Sequence, residues 1–189
     1  MKSSRLTAIL IATTGVMLVS TPVFGGKPHD RSGFFIGFGL GFGGANYTTG
    51  AMLGSSSNDA GGGAGNFRLG GALTQKVLLG LESSAWVKSE DDATLSFSAV
   101  TAALTLYPGD GGAYLRGGFG FGISTFDVPV DVSKTDIGWT FLAAGGYEWR
   151  LTDKFALGPQ LEVVYLGLGG ELIDTSSLVN VTLQFDWYW

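Results

Sequence analysis

The chain ends in Val179-Asn180-Val181-Thr182-Leu183-Gln184-Phe185-Asp186-Trp187-Tyr188-Trp189, in which every odd position is apolar or aromatic and nearly every even one can hydrogen-bond. Successive side chains of a β-strand point to opposite faces, so this stretch has one apolar and one polar face. Tryptophan and tyrosine settle at membrane–water interfaces, where an apolar body and a polar edge are both accommodated. The stretch therefore predicts a membrane strand whose apolar face meets lipid and whose polar face lines a barrel interior.

The same alternation occurs near the other end of the chain, between Gly33 and Gly44. Large apolar residues share one face, and glycines occupy most of the other. Glycine weakens a strand, but it suits the crowded interior of a narrow barrel, where another side chain needs the room. The large residues are Phe34, Ile36, Phe38, Leu40 and Phe42, and the glycines that face them are Gly37, Gly39, Gly41 and Gly43.

Six further segments alternate in the same way, which brings the predicted total to eight strands. Eight is an even number, and each run is close to the roughly 9 to 11 residues that a tilted membrane strand needs. Short connections near residues 75, 110 and 152 should be periplasmic, and longer ones at 45–65, 88–93, 125–136 and 169–177 should be extracellular. The predicted fold class is all-β: an eight-stranded antiparallel transmembrane β-barrel.

One of the eight segments, Thr94 to Tyr107, changes parity along its length. Val100 and Leu104 share a face, whereas Leu95 and Phe97 fall on the other. Two explanations remain open at this point: a β-bulge near Ser98, or an upper part of the barrel that stands clear of the membrane.

The first 25 residues predict a secretory signal peptide. Lys2 and Arg5 precede an apolar run from Leu6 to Val19, and compact residues lead to a cleavage site after Gly25. The run is 14 residues long, shorter than the ~20 that a spanning helix needs. We therefore expect a signal peptide at 1–25 and one outer-membrane β-barrel domain at 26–189.

Composition excludes several classes of function. Without Lys2 and Arg5 the chain has 9 basic and 16 acidic residues, which argues against nucleic acid as a partner. The absence of cysteine excludes a disulfide scaffold, a thiolate metal site and a cysteine nucleophile. The 32 glycines could suggest a low-complexity chain, but 45% hydrophobic and 13% aromatic residues are too many for a disordered one.

These features resemble one family over essentially the whole predicted mature chain: the small eight-stranded outer-membrane barrels of the OmpA/OmpX type. The segment Tyr114-Leu115-Arg116-Gly117-Gly118-Phe119-Gly120 and the terminal aromatic residue belong to that likeness. The resemblance implies location in the bacterial outer membrane, contact with its lipid and lipopolysaccharide, and a monomer. It also implies an assembly signal that the barrel-assembly machinery recognises, which maps onto Val181, Leu183, Phe185, Trp187 and Trp189.

Charged side chains fall on the predicted inner face of these strands. An eight-stranded barrel is barely wide enough for side chains, so we expect ion pairs that fill the lumen, since an unpaired buried charge is costly. A proton or ion path is the alternative, because charged constrictions also select ions. The predicted lumen charge network consists of Arg68, Glu82, Arg116, Glu148, Glu162 and Asp186.

The residues that catalysis would need are scarce. The single histidine, His29, lies ahead of the first strand, and barrel enzymes that resemble this chain in size depend on a histidine in the barrel or its loops. We expect no enzymatic activity and no cofactor or metal site. The predicted extracellular connections carry an excess of acidic residues, which indicates either solubility or binding of divalent cations by loop carboxylates.

The predicted function is therefore that of an integral outer-membrane barrel with a structural or surface-interaction role and a filled polar lumen. Three alternatives remain. The first is a narrow pore or a transporter of small hydrophobic molecules, and the second is an adhesin that binds through its extracellular loops. The third is a soluble exported β-barrel of the lipocalin type, in which the same alternation has the opposite sense.

Overall fold

The computed structural model describes residues 31–49, 56–90, 93–128, 132–170 and 173–189. The predicted signal peptide lies outside these residues. Within them, no helix is long and apolar enough to cross a membrane. The strands are β1 (Phe34–Thr49), β2 (Ser57–Thr74), β3 (Val77–Glu90), β4 (Ala93–Leu106), β5 (Ala113–Val128), β6 (Val132–Tyr147), β7 (Trp149–Arg150), β8 (Phe155–Gly167) and β9 (Ile173–Tyr188).

These strands form a closed antiparallel barrel in which β6 and β7 together count as one of eight strands. Neighbours in sequence pair from β1 to β6, β1 also pairs with β9, and β6 pairs with β8, which closes the sheet. The two-residue β7 continues β6 along the same side of β8. Between β6 and β7 the pairing with β8 is interrupted. Pro159 lies there, between Gln160, which pairs with β6, and Leu157, which pairs with β7, and it has no N–H to donate to a ladder. The predicted eight-stranded barrel is confirmed.

The start of β1 and the C-terminal residue Trp189 meet at one end of the barrel, which we call the lower end. The backbone N–H of Trp189 donates to the carbonyl of Phe34 at 2.9 Å, and that of Ala72 donates to the carbonyl of Gly33 at 2.8 Å. Gly33 has φ of 76°, and a Cβ there would lie 2.0 Å from the carbonyl oxygen of Trp189. A residue with a side chain at position 33 would therefore separate the two ends of the chain.

The main strands are longer than the sequence predicts, at 13 to 18 residues. A 16-residue strand that is tilted as in known barrels rises roughly 40 Å, against an apolar band of about 25 Å. The upper end of the barrel, opposite the start of β1 and Trp189, therefore extends beyond the membrane. Much of the predicted longer connections, for example 57–65 and 132–136, is strand, and that part of the prediction was wrong.

The parity change in β4 is not a bulge. β4 keeps one continuous register with β3, from Leu106 opposite Val77 to Ala93 opposite Glu90. Leu95 and Phe97 are buried inside the barrel, and Ser96 and Ser98 alternate with them on the outer wall. This inside-apolar pattern is that of a barrel in water, which fits an upper part that stands clear of the membrane.

Candidate functional site: the barrel interior

Side chains fill the barrel interior in three levels. The lower level closes the mouth at the lower end, the ionic level lies above it, and the upper level is apolar. The lower level contains Arg31, Phe35, Leu78, Tyr107, Glu148 and Tyr188; the ionic level contains Arg68, Glu82, Arg116, Gln160, Glu162 and Asp186; the upper level contains Trp86, Phe97, Leu142, Val164, Leu166 and Leu178. All of these residues are at most 5% exposed.

In the ionic level, Arg68 on β2 forms a two-point ion pair with Asp186 on β9. Its Nε donates to Oδ1 at 3.0 Å, and its Nη2 donates to Oδ2. Gly37 of β1 lies between them, since it is the register partner of both. A Cβ on Gly37 would lie 2.0 Å from Oδ1 of Asp186, so the ion pair crosses the strand where the side chain is missing. This contact explains the glycine, as crowding in a narrow lumen would require.

Arg116 is the centre of the second group in this level. Its Nη1 donates to both carboxylate oxygens of Glu82 at 3.1 Å and to Oε1 of Gln160 at 2.9 Å. Its Nε donates to the hydroxyl of Thr105 at 2.9 Å. Three strands besides its own therefore hold one guanidinium in place, and its Nη2 is buried without a hydrogen-bond partner among the described residues.

Glu162 joins this group through amides rather than through a cation. It accepts hydrogen bonds from Nε2 of Gln160 at 3.2 Å and from Nδ2 of Asn180 at 3.1 Å. Gln160 also accepts a hydrogen bond from the hydroxyl of Tyr114 at 2.9 Å. The structure thus connects Arg116, Glu82 and Glu162 through one glutamine.

Glu148 is the one predicted lumen residue that lies apart, at the lower mouth. Its Oε1 accepts from Nε of Arg31 at 2.9 Å, and its Oε2 accepts from the hydroxyls of Tyr107 at 3.0 Å and Tyr188 at 2.7 Å. Nη2 of Arg31 donates to the carbonyl of Gly111 at 2.9 Å. Arg31, which precedes β1, therefore lies inside the lower mouth and helps to close it.

Sequence reasoning missed two interior arginines, Arg31 and Arg150. Arg150 donates to the carbonyl of Asp153 at 3.2 Å, and its guanidinium lies 4.1 Å from the ring centroid of Tyr188. The parity that places Glu148 inside also places Arg150 inside, so alternation could have revealed it. Arg31 lies outside any alternating run. With both included, four buried arginines accompany the four buried carboxylates in the described residues, whereas the predicted lumen network contained two arginines.

The upper level shows that the predicted polar lumen was wrong for this part of the barrel. Trp86 and Phe97 are fully buried, with ring centroids 5.7 Å apart, and the indole N–H of Trp86 donates to the carbonyl of Gly43 at 3.0 Å. Leu142 and Leu166 are also fully buried. Toward the upper end, the interior becomes apolar and the outer wall becomes polar. The outer wall there meets water, so the apolar side chains are buried inside the barrel.

The residues of the predicted assembly signal, Val181, Leu183, Phe185, Trp187 and Trp189, lie on the outer wall of β9 and at its end. Two of their side chains, Phe185 and Trp187, belong to an aromatic surface at the seam where β9 meets β1 and β8. Phe38 stacks on Phe185 at 4.9 Å and on Trp187 at 5.5 Å between ring centroids, and Phe155 lies 4.7 Å from Trp187. Recognition of these residues by assembly machinery stays a prediction.

One ion pair at the end of the barrel is exposed to solvent. At the lower end, Nζ of Lys76 lies 2.9 Å from Oδ1 of Asp110, and this hydrogen bond and charge hold the pKa of Asp110 below its usual value. Both groups are exposed, so the pair contributes little to stability. Among the described residues, no group of three or more histidine, aspartate or glutamate side chains could hold a metal ion.

Comparison with known proteins identifies the fold. No protein-family model and no curated protein sequence matches the chain. Its structure is similar to Neisserial surface protein A, with a TM-score of 0.62, 10% identity and coverage of 84% of this chain and 99% of that one. It is also similar to the attachment invasion locus protein Ail of Yersinia pestis (TM-score 0.53, 12% identity, coverage 83% and 98%). A third is the outer membrane protein OprG of Pseudomonas aeruginosa (TM-score 0.51, 12% identity, coverage 85% and 98%). The chain has the fold of small outer-membrane β-barrels.

Proposed function

We propose that the protein is an integral outer-membrane barrel of a diderm bacterium, with a closed lumen, that acts at the cell surface as a structural or interacting element. One observation carries this proposal: three successive levels of buried side chains fill the interior. The lower end, with the start of β1, the C-terminal residue and the short turns at residues 75–76 and 151–154, corresponds to the periplasmic side. The upper end then faces outward from the cell.

The packing argues against the narrow pore. An ion would have to displace Arg31 from Glu148, pass the Arg68–Asp186 and Arg116–Glu82 ion pairs, and then cross an apolar level around Trp86. Each of these contacts is buried, and a cation or anion in the upper level would have no counter-charge among the residues that line it. The packing of this interior therefore favours a closed lumen over a narrow pore.

Absence of catalysis is part of the same proposal. The buried carboxylates hydrogen-bond to arginine, tyrosine or amide partners, and each of them is at most 2% exposed, so a substrate in solution would not reach them. The expected partners are lipid and lipopolysaccharide against the outer apolar wall and the barrel-assembly machinery during biogenesis, with no nucleic acid. We expect the barrel to be a monomer.

The closed lumen is tested by conductance in planar bilayers. The purified protein is refolded in detergent, checked for a heat-dependent shift on a gel and for β-rich circular dichroism, and then added to the membrane. We expect no conductance steps above background, with a sixteen-stranded porin in the same membranes as the positive control. Reproducible steps from the folded protein would contradict the closed lumen and favour the narrow pore.

The surface location is tested in whole cells. One epitope tag is inserted between Thr49 and Ser56, in the connection from β1 to β2 at the upper end. A matched tag is inserted between Thr74 and Val77 at the lower end. We expect antibody to label the first tag on intact cells and the second only after permeabilisation. The reverse pattern would show that the proposed orientation is wrong.

A further inference from the structure

The outer wall changes from apolar to polar in three rows where β1 lies between β9 and β2. In the lowest row, Phe42 on β1 has Val181 of β9 on one side and Gly63 of β2 on the other. Phe42 is 70% exposed on the outer wall, so its ring faces lipid. The apolar part of the outer wall ends just above this row on these three strands.

The middle row has almost no side chains. Gly44 on β1 pairs with Gly61 on β2 and with Val179 on β9. Among the described residues, a Cβ on Gly61 would meet no atom within 4 Å, and a Cβ on Gly44 would meet only the carbonyl oxygen of Ala60, at 3.9 Å. Crowding therefore does not explain these two glycines, in contrast to Gly37 in the lumen. They leave a hollow in the outer wall.

The upper row is polar. Asn46 on β1 pairs with Asp59 on β2 and with Ser177 on β9. Nδ2 of Asn46 donates to Oδ1 of Asp59 at 2.6 Å, and this hydrogen bond orients the carboxylate at the top of the hollow. A carboxylate and an amide oxygen are both acceptors. The upper row therefore presents acceptors and one negative charge.

The middle and upper rows line one open depression of about 650 Å³. Asp59 is the only charged residue in its described lining, and Val179 forms its apolar side. Phe42 lies directly below it, one row nearer to the membrane. From bottom to top, the surface is thus apolar, then bare backbone, then anionic. A lipid has the same order of parts, since its acyl chains are followed by glycerol and then by a polar headgroup.

We propose that this depression binds the headgroup of a membrane lipid that carries a primary ammonium group. The ammonium lies against Asp59 and Asn46, and the acyl chains lie along Phe42. A primary ammonium has three donors and no acceptor, which complements the acceptors of the upper row. Hydrogen bonds between an ammonium and a carboxylate are also among the stronger ones in proteins. This proposal rests on the membrane barrel proposed above and adds a ligand to it.

Charge and position exclude other headgroups and favour a lipid over a free amine. An anionic headgroup would bring like charge to the carboxylate of Asp59. A trimethylated ammonium has the right charge but no N–H to donate. A free amine would contact only the upper row, whereas a lipid also covers Phe42 and Val179, whose burial contributes to binding.

The test compares two lipids whose headgroups have the same net charge and differ in their N–H donors. The full-length protein is refolded, checked for the heat-dependent gel shift and placed in nanodiscs of phosphatidylcholine. Phosphatidylethanolamine then replaces the phosphatidylcholine in steps. We expect the NMR amide signals of Gly44, Asn46 and Gly61 to shift and to saturate. The mole fraction at half-saturation measures the affinity.

Two variants have matched controls. Asp59→Asn removes the charge and should raise the mole fraction at half-saturation about tenfold. Asp174→Asn makes the same change at an exposed position of the upper end outside the depression, and should have no effect. Gly61→Leu fills the hollow and should abolish the saturating shift. Gly117→Leu adds the same side chain to β5, where a Cβ also meets no atom within 4 Å, and should leave the shift unchanged.

Three results would overturn the proposal. The first is the absence of a saturating shift with phosphatidylethanolamine, and the second is a shift that survives both Asp59→Asn and Gly61→Leu. The third is the same shift when free ethanolamine is added to phosphatidylcholine nanodiscs, which would assign the depression to a soluble amine. Both leaflets of a nanodisc carry the same lipids, so these results do not depend on orientation or conductance. They therefore separate this proposal from the closed lumen and the surface location.

Discussion

Arg31 and Glu148 are joined across the lower mouth of the barrel although 117 positions separate them in the chain. The guanidinium of Arg31 lies 3.4 Å from the ring centroid of Tyr107, which itself donates a hydrogen bond to Glu148. A cation, an aromatic ring and a carboxylate are thus stacked at the point where the chain enters β1. Arg31, although it precedes the first strand, is therefore part of the barrel's packing.

Replacing Arg31 with alanine should destabilise the folded barrel by about 3 kcal/mol, because it leaves a buried carboxylate without its ion-pair partner. Tyr107 and Tyr188 still donate to Glu148, which limits the loss. The measurement is the free energy of unfolding by urea in lipid vesicles. The double variant Arg31→Ala/Glu148→Gln removes the charge as well and should recover part of the stability. Equal losses in the single and double variants would show that the ion pair is not what stabilises the mouth.

The lipid-facing wall gives a prediction with a matched control on the same strand. Phe119 is 62% exposed on the outer wall of β5, midway between Ala113 and Thr125. Arginine at the membrane midplane costs about 2 to 4 kcal/mol and near the interface about 0 to 1 kcal/mol. We therefore expect Phe119→Arg to lower the free energy of folding into vesicles far more than Thr125→Arg. Equal costs would mean that the apolar band does not cover Phe119.

The strand count and the two faces could be predicted because the alternation of apolar and polar residues is visible in the sequence without any knowledge of register. Leu183 and Gln184, for example, show by alternation alone which side each faces. The upper strand ends could not be predicted in this way. Asn46 and Asp59 are polar and flank glycines, which suggested a loop, yet they face each other across a strand pair above the membrane.

The ion pairs depend on information that alternation does not contain. Arg68 and Asp186 are both inward by parity, but their pairing follows from the register of two ladders that meet at Gly37. Register along a glycine-rich strand is weakly specified by its own sequence. The sequence could therefore predict a set of charges but not their partners, and it could not predict Arg31, which belongs to no strand.

Glycines in the strands should differ in their tolerance of alanine according to what surrounds them. A Cβ on Gly158 would lie 1.7 Å from the carbonyl oxygen of Tyr147, where β6 gives way to β7. On Gly117 it would meet no atom within 4 Å. Gly158→Ala should cost about 1 to 3 kcal/mol through overpacking against backbone. Gly117→Ala should be neutral or stabilise by up to about 1 kcal/mol, because alanine restricts the unfolded chain.

Unfolding in vesicles measures both alanine variants, and the two residues are matched because each lies within a strand and has no positive φ. Equal effects would contradict the assignment of inner and outer faces in β5 and β8. A loss at Gly117 with no loss at Gly158 would reverse that assignment.

The pair formed by Arg116 and Glu82 tests whether the ionic level stabilises the barrel or selects its register. Removing one partner, as in Glu82→Gln, leaves a buried guanidinium with only neutral acceptors on Thr105 and Gln160, and should cost about 3 kcal/mol. Replacing both, as in Arg116→Met/Glu82→Met, should cost less than the single change, since apolar side chains of similar volume carry no desolvation penalty. Unfolding in vesicles gives both free energies. If the double variant is the less stable, the ion pair contributes net stability. If the double variant is stable but refolds to several gel species, the charges select one strand register among several.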